Sequence, residues 1–123
     1  MFADVDEMVV TFLDSIVTPD VATLWPNPLT GRFVRVVRSG GAAANRVLDR
    51  ATVTVTCSGA SKSDTVGSAT LAGECRDALM NRYLEMPLVR GVEEMTAPYY
   101  DPDPDTGFSR HTFTHRLSVR AHF

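Results

Sequence analysis

The sequence predicts an α+β fold: a mostly antiparallel sheet of four to five strands with two helices packed on one face. Three observations carry that prediction. Two windows, one near the start and one in the middle, place apolar residues at helical spacing. Two others, Ala51–Cys57 and Thr112–Ala121, alternate apolar and polar residues with a period of two. The order of elements, helix, strands, helix, strands, is that of an α+β sandwich.

Residues 3–17 read as the first helix. Val5, Met8, Val9, Phe12 and Ile16 form an apolar stripe, with Asp4, Glu7, Thr11 and Asp14 opposite. Asp4 suits the N-cap, and Asp6 and Glu7 suit the positive first turn. Pro19 stops the helix. Val21–Trp25 reads as a short strand; Trp25 serves either as a core anchor or as a partner contact.

Phe33–Arg38 is the clearest strand, aromatic and β-branched with valine on both faces. Valine on both faces predicts a central or nearly central place in the sheet. Pro26 and Pro28 delay its start, and Gly40-Gly41 is expected to end it. The next strand, Ala51–Cys57, buries Val53, Val55 and Cys57 and exposes Thr52, Thr54 and Thr56. The two strands are expected to pair antiparallel through an extended loop at 39–51, a candidate assembly arm.

Ser63 or Asp64 caps the second helix, expected over residues 64–83 with Leu71, Cys75, Ala78, Leu79 and Tyr83 on one face. Pro87 marks its exit. Val89–Thr96 reads as a strand, residues 97–107 as a turn, and the last strand puts Phe113, His115, Leu117, Val119 and Ala121 on one face. The 123 residues, with no internal repeat, read as a single domain over 1–123.

No apolar run approaches the ~20 residues of a membrane span. The acidic start, Met1–Glu7, is unlike the basic opening of a signal peptide, so cytoplasmic synthesis and reduced Cys57 and Cys75 are expected. A net charge of −3 argues against a dedicated nucleic-acid binder. The charges are segregated, however. No Lys or Arg precedes Arg32, whereas Arg32, Arg35, Arg38, Arg46 and Arg50 follow in one block opposed only by Asp49. Of 12 basic residues only Lys62 is lysine, and arginine is the cation favoured at interfaces.

Catalytic and metal chemistry find little support. Asp101, Asp103 and Asp105 alternate like the start of a calcium loop, but the glycine falls at the seventh position (Gly107) and Thr112 at the twelfth. A rigid acidic turn is the reading. His111 and His115 share a strand face but stand about 13 Å apart, too far for one ion, and His122 lies on the other face. No nucleophile signature surrounds either cysteine, and Ser39-Gly40-Gly41 lacks the lysine of a phosphate loop. No catalytic residue, cofactor or metal is expected.

The run from Pro28 through Arg32-Phe33-Val34-Arg35-Val36-Val37-Arg38-Ser39-Gly40-Gly41, the strand Ala51–Cys57, and Asp101-Pro-Asp-Pro-Asp-Thr-Gly107 before a closing strand resemble the tail terminator proteins of long-tailed bacteriophages. The resemblance covers most of the chain but contains no catalytic motif. It implies a compact α/β core assembled as a hexameric ring. Such a ring caps the tail tube, stops its polymerisation, and meets the head-side connector or stopper, with DNA passing through an acidic lumen. It implies a place in the virion at the head-tail interface, after assembly in the host cytoplasm. Charge places the expected contacts at Arg32, Arg35, Arg38, Asn45, Arg46 and Arg50, and at Asp4 and Glu7 of the first helix. A small ligand-binding or regulatory α+β module, or another head-tail adaptor or head-completion ring protein, remains an alternative reading.

Overall fold

The computed structural model describes residues 4–121. Helix α1 (Val5–Asp14) buries Val5, Val9, Phe12 and Leu13, and Met8 and Ile16 flank that core. The Asp4 carboxylate accepts the Glu7 amide at 3.3 Å, satisfying an otherwise orphaned first-turn donor. A last turn carries the chain to Val17 through the Leu13 carbonyl. The expected first residue, Ala3, lies outside the described residues, as does His122.

The sheet has five strands: β1 (Asp20–Ala22), β2 (Phe33–Ala43), β3 (Leu48–Ser58), β4 (Val89–Tyr100) and β5 (Arg110–Arg120), in the order β1-β2-β3-β5-β4. All pairs are antiparallel except β1 with β2, which is parallel over three residues. Helix α2 (Thr65–Arg82) follows β3 and runs into a 3-10 turn, Tyr83–Glu85. Asp64 is its N-cap, accepting the Gly67 amide at 3.2 Å. The Ala60 amide and the Arg32 guanidinium, which also reach Asp64, hold its carboxyl below the usual range.

Both helices cover the same face. Val34, Val36, Ala51, Val53, Val55, Cys57, Phe113, Leu117 and Val119 meet Val9, Leu13, Leu71, Cys75 and Leu79 in one core. Small residues on α2, Ser68 and Ala72 among them, are fully buried and let the helix lie close to β3 and β5. The free thiols of Cys57 and Cys75 meet beneath it, Sγ to Sγ 3.9 Å, both completely buried. The neighbouring thiol and burial push the Cys57 group well up from its ordinary value.

Three strands run clearly further than the sequence predicts: β2, β3, which starts at Leu48, and β4. Gly40-Gly41 does not end β2. The register slips between Arg38 and Gly40, and pairing then continues to Ala43 opposite Asp49. Past the slip Gly41 is required: its φ is +90°, and a Cβ there would collide with the Arg50 carbonyl. The expected loop at 39–51 is therefore mostly strand, and the connection itself is residues 44–47. At the other edge β4 passes through Pro98 to Tyr100. The pairing with β5 slips between Thr96 and Tyr99, and proline is tolerated at such an irregularity of an edge strand.

Candidate assembly surfaces

Sheet pleat and helix cover divide the molecule into three chemically different surfaces. The first is the sheet face opposite the helices. Period-two alternation puts Arg35 and Val37 of β2 there, with Arg50, Thr52, Thr54 and Thr56 of β3, and Thr112, Thr114, Arg116, Ser118 and Arg120 of β5. Cross-strand threonine hydroxyls meet in the middle, Thr54 to Thr114 at 3.5 Å and Thr112 to Thr56 at 3.4 Å. Arg116 stands 3.9 Å from Glu93 of β4, and with Arg50, Gly91 and Ser118 they line a shallow recess of about 310 Å³. This face is polar and basic.

The second surface is the helical layer. The cap and first turn of α1 supply Asp4, Asp6 and Glu7, α2 supplies Glu74 and Asp77, and the turn after it supplies Glu85. Two cations there are already engaged: Arg82 with Glu85 at 2.9 Å, and Arg76 with Glu94 at 3.1 Å. Between α1 and the 3-10 turn runs a groove of about 530 Å³. Its floor is Met8, Phe12, Met86 and Pro87, and its rim carries Asp4, Glu7 and Glu85. Among the described residues Asp4 and Glu7 make no ion pair.

The third surface is the uncovered corner where β2 turns into β3. Residues 39–47 are all exposed. Ala44 and Asn45 donate to the Leu48 carbonyl, and the Asn45 side chain accepts the Val47 amide at 2.9 Å, which sets the turn. Val47 is left 51% exposed beside Arg46.

The arginine block does not act as a unit. Arg32 reaches Asp64 at 3.0 Å, and Arg35 donates to the Thr23 carbonyl at 3.1 Å. Arg38 points to the helical side of the sheet, where its fork grips Asp49 at 2.7 and 2.9 Å and also reaches the Gly40 carbonyl. Asp49 is 2% exposed, and it holds the Arg38 guanidinium above its ordinary value. The backbone amide of Arg38, facing the sheet edge that β1 leaves open, donates to Asp6 at 2.8 Å. The Arg38 side chain is thus a structural cation of the β2–β3 end, and the main-chain amide at this position registers α1 on the sheet. Arg46 and Arg50 make no ion pair among the described residues. Trp25 packs on Phe33, centroids 5.6 Å apart, under the Arg110 guanidinium.

The acidic turn is tied by protein groups. Asp103 accepts the amides of Asp105 and Thr106, which hold its carboxyl low, and Arg110 lies 3.7 and 3.8 Å from Asp101 and Asp103. No group of three or more metal-ligating side chains occurs among the described residues. No protein-family model matches the chain, and no curated protein matches it. No helix among the described residues is long and apolar enough to cross a membrane.

Two polar arrangements inside the layers have weak or no sequence signal. Ser68 on α2 meets Ser109 and His111 Nδ1, each at 2.8 Å. His115, completely buried, faces Glu94 of β4 with Nε2 3.5 Å from the carboxylate, and Arg76 of α2 stands behind that carboxylate. Neither ring nitrogen of His115 has a hydrogen-bond partner. Its position on the apolar face of β5 is the one hint the sequence offers. Burial lowers the His115 pKa, Glu94 pulling the other way, and burial also lowers that of His111. A folded pKa below the unfolded value means stability is flat above about pH 6.5 and falls as pH drops below it. Thermal melts between pH 7.5 and 5 are expected to show that fall, and His115→Leu is expected to flatten it. An unchanged slope in the variant assigns the effect elsewhere.

Proposed function

We propose that the chain is a structural protein of long-tailed bacteriophages, a tail terminator whose ring caps the tail tube, stops its growth and meets the head-side connector. The reading rests on the sequence resemblance and on one structural observation. A platform of only two layers is acidic on the helical side and basic on the open sheet side. A subunit that meets a different surface of its neighbour forms a ring when the rotation closes. Opposite charge on different surfaces favours such heterologous contact and sets its register. The ring would be a hexamer through whose lumen DNA passes without specific binding, and the protein would be no enzyme.

Negative-stain imaging of the purified protein mixed with tail tubes tests this. Six-fold rings at tube ends, and tubes that stop lengthening, are the expected result. Exposed ion pairs contribute only about 0–1 kcal/mol each, so rings are expected to weaken but persist when salt is raised from 0.05 to 0.5 M. Uncapped tubes and a monomer at all salt concentrations overturn the proposal. The apolar groove beside α1 favours one second reading, a small ligand-binding module. A monomer that takes an apolar ligand there, and ignores tubes, supports it.

A further inference from the structure

The exposed corner and the acidic groove are complementary, and among the described residues no contact within the subunit joins them. We propose that the β2–β3 corner of one copy, led by Arg46 and Val47, seats in the α1 groove of a second copy. This rests on the ring reading above and names one contact between neighbours, made on the acidic helical side by the third surface and not by the basic sheet face.

The groove asks for an occupant with an apolar tip and a positive charge. Its floor of Met8, Phe12, Met86 and Pro87 offers apolar area, and its rim carries Asp4, Glu7 and Glu85. Glu85 is satisfied by Arg82, so Asp4 and Glu7 are the carboxylates left to answer a cation. The corner supplies both properties. Val47 is an exposed branched side chain at its tip, Arg46 is next to it, and Ala42, Ala43 and Ala44 keep the approach narrow. The tip is preorganised by the Asn45–Val47 bond and the paired strands behind it, so little ordering is lost on docking. Apolar contact of Val47 supplies affinity, while Arg46 against Asp4 and Glu7 sets orientation and speeds encounter. Donor and acceptor surfaces differ, so each copy gives one and receives one, a heterologous contact that makes a ring when its rotation closes.

Directed cross-linking between differently tagged chains decides. One chain carries Val47→Cys, the other Thr11→Cys on the exposed rim; the native thiols are buried and do not compete. Oxidation is expected to give the mixed disulfide and few like-with-like products. Like-with-like products in excess mean a two-fold contact and overturn the proposal. So does a disulfide joining either cysteine to the tube protein or to a head-side protein. A charge exchange gives a second readout. Glu7→Arg and Arg46→Glu alone are each expected to weaken self-association roughly tenfold at low salt, and together to restore most of it. If neither changes association, the contact is elsewhere. Capped tubes without the mixed disulfide remove this contact and leave the tail terminator reading standing. Absence of both rings and capping removes that reading itself.

Discussion

Phe113→Ala is expected to lower the unfolding free energy by about 3–5 kcal/mol, a large part of what a domain of this size possesses. Phe113 is fully buried on β5, a central strand paired on both sides. It stands opposite Val55 of β3, and its ring lies 4.8 Å from that of His115. Truncation removes the ring from the core shared by both helices, and the continuous β3 ladder beside it resists the collapse that would fill the void. It also leaves the unpartnered His115 ring beside a cavity. A urea titration is the measurement; a loss below about 1 kcal/mol means that the core under α2 is loosely packed.

Asp49→Ala comes next. It leaves the Arg38 guanidinium without its carboxylate partner, where the Gly40 and Gly41 carbonyls do not balance its charge. Breaking a buried pair costs about 3–5 kcal/mol when the remaining charge is sealed. The Arg38 side chain is 30% exposed, so water recovers part of that, and about 2–3 kcal/mol is expected. Replacing both partners, Arg38→Met with Asp49→Leu, is expected to cost much less than Asp49→Ala alone. A double variant as unstable as the single one means that the ion pair contributes beyond its own mutual satisfaction.

The helices and central strands were legible in the sequence because their signals are local. The Val5–Phe12 stripe, the Thr-Val alternation of β3 and the paired faces of β5 need only the geometry of one element to be read. The two misjudged stretches depend on neighbours. Gly40-Gly41 looks like a terminator in isolation, but the register slips just before it, and Gly41 takes a positive φ that lets β2 run on close against Arg50. Pro98 looks like a stop, yet on an edge strand the ladder only slips there, between Thr96 and Tyr99, and β4 goes on to Tyr100. The parallel pairing of β1 with β2 was not legible, since three residues carry no pattern.

The candidate contacts fared in the same way. Charge runs marked the basic block, and Asp49 stood out as its lone acid. Which arginine the acid would consume depended on the strand register past the slip. Arg38 consequently leaves the set of free cations, while Arg46 and Arg50 stay in it. Asp4 and Glu7 were identified by sign alone, and the groove between them and Pro87 is a product of how α1 lies against the 3-10 turn.

The two touching thiols give the protein an internal stopwatch. A thiol reacts as its thiolate and only when reagent can reach it, and Cys57 and Cys75 sit sealed between β3 and α2. Alkylation therefore samples the fraction of time that α2 is lifted from the sheet, with no probe added and no residue changed. Where opening and closing are fast, the labelling rate reads the free energy of that opening. A subunit locked by neighbours on both sides should run the stopwatch more slowly than one that is free.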